Sequence, residues 1–397
     1  MRKLDTAAAD CRPDRLPGAA PRLKPAKWKD RVFVLVVGVL TFGALWIHTG
    51  FERPTGTDSA SVRVRVVSVD NSSVKQYGFI REGAQLVRVR VLDGRYRGQE
   101  VDGSNTLLGK LELDKYFAPG DTALVVLDLD SRTGAIRYAN LIDHYRLRVE
   151  ILLFALFAAA LVIIAGWTGA KALLSFVFSV VLVWKILLPF FLRGIDPVLV
   201  SLGVVTILTA AVIFLVGGVG QKGATAFLGV LLGISVTCVL AIVFGRAFRV
   251  NGAVRPFSET LLYTGFAYLD LTRLFFAGIF LASSGAVMDV SMDVAASMEE
   301  VRAASPSMPR SALIKSGFKV GRAVVGTMTT TLLLAYSGGY TALLMVFMAQ
   351  GTPVINIVNI TYVAAEILHT LVGSFGVVLV APATAIVGGL VFKPSEG

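Results

Sequence analysis

Cysteine, histidine and charge are all scarce in this chain, and each shortage removes a class of function. Of the two cysteines in 397 residues, Cys11 sits in a basic N-terminal stretch and Cys238 inside an apolar run. Neither a disulfide framework nor a zinc site can be assembled from that pair. The three histidines, His48, His144 and His369, are far apart and form no H-E-x-x-H or other closely spaced metal signature. Gly217 to Gly223 lacks the G-x-x-x-x-G-K-[ST] of a phosphate loop, and Ser283 and Ser284 lie outside any G-x-S-x-G elbow. No cofactor and no metal are therefore expected, and an intramembrane enzyme acting on lipid lacks any recognisable nucleophile and base here. Only 16% of residues are charged and the mean hydropathy is +0.70, too apolar for a soluble protein of this length.

The charge that is present falls unevenly. The first thirty-one residues hold nine Lys or Arg against four Asp, whereas residues 323–392 hold one formally charged side chain, Glu366. The net charge of +11 thus reads as a topology signal and an attraction to anionic lipid headgroups, not as a nucleic-acid footprint. Residues 1–31 are too polar to form a core and read as a disordered basic cytoplasmic tail. Residues 32–50 read as an uncleaved signal-anchor helix, because Trp46-Ile47-His48 offers no small-residue cleavage site.

From 58 to 145 the texture changes. Val62, Val64 and Val66 alternate with Arg63 and Arg65, and Val87, Val89 and Val91 alternate with Arg88 and Arg90. A period of two gives strands with one buried and one wet face. Turns are expected at Asp93-Gly94, Asp102-Gly103, Pro119-Gly120-Asp121 and Thr133-Gly134. Five or six short strands in this space predict a small closed, OB-like β-barrel, placed outside the cytoplasm by the basic tail and the anchor.

Residues 150–392 predict a multi-helix transmembrane domain. Apolar runs at about 150–166, 171–192, 197–217, 223–245 and 271–289 each match the length that crosses a hydrocarbon core. Their short connections imply antiparallel neighbours. Residues 323–392 are assigned two further crossings, with 354–364 as a re-entrant or interfacial piece, giving about eight spans in all.

Polar residues in this apolar setting are the candidate functional groups. Asp289 and Asp293 share a face of an amphipathic segment within 290–322 and its approach, with Glu300 on the same side. Asn356, Asn359, Glu366 and His369 recur at helical spacing, joined by Tyr362 and Thr370. A carboxylate at membrane depth is costly unless paired or neutralised, so Glu366 points to a pathway or relay. The hydroxyl-rich run Thr327, Thr329, Thr330, Thr331, Tyr336, Ser337 and Tyr340 reads as helix packing or a path lining. Asp270 and Arg273, three apart, are expected to pair.

The string Ser284-Gly285-Ala286-Val287-Met288-Asp289-Val290-Ser291-Met292-Asp293 resembles the YibE/F-like family of bacterial multi-pass membrane proteins. Val91-Leu92-Asp93-Gly94-Arg95-Tyr96-Arg97-Gly98, Gly351-Thr352-Pro353 and Glu366 extend the resemblance over about residues 62–391. It implies a multi-pass protein of the bacterial plasma membrane and a permease-like role without a substrate or catalytic residues. The function expected is a transporter or channel for a small or ionic solute, with Asp289, Asp293, Asn356, Asn359, Glu366 and His369 along its path. The alternative is a membrane scaffold that docks a partner protein on the β domain.

Overall fold

The computed structural model describes residues 28–51, 59–130 and 132–392. Most of the expected disordered tail lies outside the described residues. Its last four, Trp28 to Arg31, are helical and open α1 (Trp28–Leu45). Past Leu45 the backbone tightens, with Trp46 and Ile47 donating to Gly43 and Ala44, so the anchor helix ends short of residue 50. The described chain divides into two compact units.

One unit is Thr41–Val204 with Asn251–Phe275. It holds β1 (Ser59–Asp70), β2 (Lys75–Tyr77), β3 (Ile80–Val91), β4 (Glu100–Leu108), β5 (Thr122–Leu129) and β6 (Ile136–His144). The order β1-β5-β6-β4-β3 returns to β1, so five strands close a barrel, and β2 extends β3 as a hairpin. All pairings are antiparallel except the short parallel contact of β4 with β6. Val64, Val66, Val87, Val89 and Val91 fill the interior as the alternation requires. Outside, Arg88 faces Asp102 across the β3–β4 register at 3.0 Å and Arg90 faces Glu100 at 2.6 Å. Asp102-Gly103 is not a turn but the middle of β4. There Gly103 meets β6 so closely that a Cβ would lie 2.2 Å from the Ala139 carbonyl oxygen, and a strand-interior glycine marks that approach.

Asp130 ties the β5–β6 turn. It accepts from the Arg137 guanidinium (2.5 Å) and from the Thr133 and Arg132 backbone N–H groups (3.0 and 2.9 Å), which hold its carboxyl far below the ordinary 3.8. Asp93 is lowered in the same way by its bond to Arg63. A carboxyl depressed on folding stabilises the fold above its unfolded value, and that stability is lost as pH falls through the folded value. Barrel protection in hydrogen exchange is therefore expected to be flat from neutrality to about pH 4 and to fall below it. Asp130→Asn should flatten part of that fall; an unchanged acid profile would remove Asp130 from the cause.

The same unit carries α2 (Leu147–Leu182), a π-helical turn at Val183–Leu187 and α3 (Leu188–Leu192). Gly166, at φ 56°, breaks α2. The rings of Phe154 and Phe157 lie 6.2 and 6.0 Å from that of Phe176, whereas a straight helix would hold residues 157 and 176 about 28 Å apart. The chain thus folds back at Gly166 into the antiparallel pair that its short connection implied. The π turn admits Pro189, whose ring would strike the carbonyl four residues earlier in a regular helix. Asp196 caps α4 (Pro197–Val216) through Val198 N–H (2.9 Å) and Leu199 N–H (3.1 Å), and also pairs with Arg273. Asp270 instead accepts the backbone N–H of Arg273 (3.0 Å), so the expected Asp270–Arg273 ion pair is replaced. Between α5 and α7 lies the six-residue α6 (Ser258–Tyr263).

The second unit is the chain up to Leu40, Val205–Val250 and the chain from Phe276 on. Its helices are most of α1, the bulk of α4, α5 (Gln221–Ala247), most of α7 (Leu271–Ala304), α8 (Arg310–Gly338), α9 (Thr341–Ala349), α10 (Val354–Asn359) and α11 (Thr361–Val391). Glycines set the close approaches around α11. A Cβ at Gly229 of α5 would meet Thr384 Oγ1 at 2.1 Å, and one at Gly376 of α11 would meet Thr237 Oγ1 of α5 at 2.1 Å. Rising numbers on α11 meet falling numbers on α5, so the two are antiparallel. Gly317 and Gly321 of α8 meet Ala385 and Ala381, again antiparallel. Ser283 and Ser291 of α7 meet Gly373 and Thr384, so α7 runs parallel to α11. Small residues and hydroxyls replace bulky side chains here, as close helix packing in lipid demands. Ser291 donates to the Ala226 carbonyl (2.8 Å) and shares a hydrogen bond with Thr384 (2.7 Å).

Among the described residues five helical stretches are long and apolar enough to cross a membrane, or six when α8 and α9 are joined across their 67° bend. The expected interfacial piece 354–364 is divided: 354–359 is α10, while 361–364 opens α11.

Candidate functional site

Glu366 and His369 lie near the start of α11 and face inward, 8% and 6% exposed. Their i,i+3 spacing puts His369 Nδ1 3.7 Å from Glu366 Oε1. From α8, Tyr336 stacks on the His369 imidazole, with centroids 4.1 Å apart and planes at 26°. The turn between α8 and α9 brings Ser337, Tyr340 and Leu344 over the same end of α11. Together they border a half-open cleft of about 220 Å³, lined also by Leu333, Val363, Glu366, Ile367, Thr370 and Leu371, with Leu333, Leu344 and Leu371 exposed at its edge. The accessible lining is almost wholly apolar, so the Glu366 carboxylate borders the cleft while staying buried.

The other candidates lie elsewhere. Asp289 and Asp293 occupy the exposed face of α7, opposite the buried Val287, Val290, Ser291 and Val294. Ser291 meets Thr384, eighteen residues beyond Glu366 on α11, so Asp289, two residues before Ser291 on a parallel helix, stands about 24 Å along the bundle from Glu366. Asn356 and Asn359 are exposed on α10, and the extended Ile360 (ψ 132°) ends that helix before α11 begins. The asparagines and Glu366 therefore do not form one continuous helical stripe. Asn359 donates back to the Ile355 carbonyl (2.7 Å).

The α8 threonines also turn inward on their own helix. Thr327, Thr329 and Thr331 donate to carbonyls three or four residues earlier, at 3.0 to 3.1 Å, which satisfies them without lining a path. Tyr336, Ser337 and Tyr340, read from sequence as part of that same run, are the members that reach Glu366 and His369. Their signal was proximity to the bend, which hydropathy does not report. Among the described residues no three His, Cys, Asp or Glu side chains converge on a common point.

The YibE/F-like protein family matches residues 153–394, well over half the chain. The chain belongs to the YibE/F-like family. The match covers α2 through α11 and with them the Glu366 cavity, while the β-barrel at 59–144 lies before it. The resemblance seen in Val91 to Gly98 thus falls outside the matched region. No curated protein and no solved structure matches the chain. The apolar helices and the family together fit a membrane protein.

Proposed function

We propose that this YibE/F-like protein is a multi-pass permease of the bacterial plasma membrane, moving a small or ionic solute through the cavity at Glu366 and His369. The observation that carries the reading is a buried carboxylate, Glu366, held beside His369 in a stretch that has no other charged residue. Eight crossings are supported by α1, the two limbs folded at Gly166, α4, α5, α7, α8 and α11. Strict alternation through them makes α7 and α11 parallel and α5 and α8 opposed to α11, in agreement with their contacts. With the basic N-terminal segment inside, the barrel is extracytoplasmic and Glu366 lies in the outer half of the bilayer.

Proteoliposomes of the full chain should carry proton or small-cation flux. Glu366→Gln, matched to wild type in elution and melting, is expected to lower that flux at least about tenfold. Full flux in the folded variant would sink the reading. No flux in either protein, across several cations and pH gradients, would favour a scaffold that docks a protein on the barrel.

A further inference from the structure

The end of the barrel from which the chain enters α2 carries bare apolar side chains. In the parallel contact of β4 with β6, Gly103 pairs with Ala139 and Ser104 with Asn140, so the last residues of the two strands, Leu108 and His144, point to the same end. Just past His144 begins α2, which opens the apolar stretch long enough to cross a membrane. Glu82 of β3 pairs with Leu108. Beyond that pair the β2–β3 hairpin runs on to a two-residue turn, Gly78-Phe79, closed by Tyr77 and Ile80. Gly78, at φ 60°, takes the first turn position and leaves Phe79 at the tip. Phe79 lies three residues past Glu82, and Leu147, the start of α2, three past His144, about 10 Å of extended chain in each case.

Phe79 is 78% exposed, Leu111 66%, Leu108 61% and Tyr77 59%. Leu111 stands on the β4–β5 connection, in a turn fixed by Asp114, which accepts the backbone N–H groups of Leu108 (2.8 Å) and Lys110 (2.9 Å). Gly109 brings this turn against the hairpin: a Cβ there would lie 3.1 Å from Ile80 Cγ2 and 2.8 Å from Glu82 Oε1. Lys75, Arg81, Lys110 and Lys115 flank the apolar tips, against Glu82, Glu112 and Asp114. The Arg81 guanidinium lies over the Tyr116 ring, 4.1 Å from its centroid. Aromatic and leucine tips flanked by long cationic side chains suit the boundary between acyl chains and headgroups, where the tips are buried and the cations reach the phosphates. In water the same end would leave four large apolar side chains uncovered on a barrel whose core is already filled. We propose that this end of the barrel docks on the membrane leaflet that α2 enters, with Phe79 and Leu111 inserted among the lipids. The docking holds the barrel against the bilayer and does not depend on the permease reading.

The test is nitroxide accessibility in the full chain, with Cys11 and Cys238 replaced by serine, in vesicles of phosphatidylethanolamine and phosphatidylglycerol. A spin label is attached in turn to Phe79→Cys, Leu111→Cys and Arg132→Cys, the last on the exposed β5–β6 turn at the opposite end of the barrel. Collision with oxygen, which concentrates in lipid, is compared with collision with a nickel chelate, which stays in water. The oxygen-to-nickel ratio at residues 79 and 111 is expected to exceed that at residue 132 at least about threefold, as insertion at the headgroup boundary requires. A ratio at either site no higher than at residue 132 would place that end in water and overturn the docking. Weak collision with both reagents would mean that protein covers the site, another part of this chain or a second copy, and would overturn it as well. Because the two labels stand on separate elements, a variant that fails to fold leaves the other to decide.

Discussion

Gly229→Val is expected to abolish accumulation of folded protein. A Cβ at residue 229 would sit 2.1 Å from Thr384 Oγ1 and 2.8 Å from Ser291 Oγ. Those atoms are bonded to each other, and Ser291 also bonds Ala226 of the same helix as Gly229. The new side chain therefore cannot enter by a rotamer change alone; α5, α7 and α11 must separate. Overpacking of this kind costs about 3 kcal/mol, a large share of typical domain stability. Gly203→Ala on α4 is the control, since nothing lies within 4 Å of its Cβ position. It should be neutral or slightly stabilising by helix propensity. Fluorescence-detected elution and thermal melting would report both, and a normally melting Gly229→Val would refute the packing described. Adding Thr384→Ala should recover part of the loss, because it removes the nearest clashing atom.

The barrel has its own vulnerable point in Gln85, fully buried and bonded on every side. Its amide donates to Asn71 Oδ1 (2.9 Å) and the Phe117 carbonyl (3.1 Å), and its oxygen accepts from Phe117 N–H and Asn105 Nδ2 (2.9 Å each). Asn105 in turn holds the Lys115 carbonyl at 2.5 Å. One strand residue thus fastens the β1–β2 turn and the long β4–β5 connection to the barrel wall. Gln85→Leu would keep the volume and strand the Phe117 and Asn105 groups without partners, a loss of about 3 kcal/mol or more. The connection around Phe117 should become protease-sensitive and its amide should lose hydrogen-exchange protection. Unchanged protection at Phe117 would contradict the clamp.

How much of this was legible in the sequence depended on how local the cause was. Val64, Val66, Val87, Val89 and Val91 announced the barrel through alternation, because a period of two is set by the strand itself. Gly103 was misread as a turn residue, since a glycine after aspartate looks the same whether the chain reverses or another strand comes close. Only the partner strand β6 distinguishes the two cases. Glu366 stood out for its isolation in an apolar segment, and His369 for its i,i+3 spacing; both are buried together as a helix dictates. The asparagines were joined to them by assuming an unbroken helix, but Ile360 is extended, and no proline or glycine marks that break. Asp289 kept its predicted helix face, yet its distance from Glu366 follows from which helices pack together, and periodicity within one segment cannot supply that.

The most direct measurement of whether the Glu366 cavity is a path is the reactivity of a cysteine at Thr370, which lines it, in a chain with Cys11 and Cys238 replaced by serine. A membrane-impermeant maleimide applied to right-side-out vesicles is expected to label Thr370→Cys. Failure of the impermeant reagent from either side, with labelling only by a lipid-soluble one, would mean that the cavity opens to lipid and not to water, and would contradict the permease.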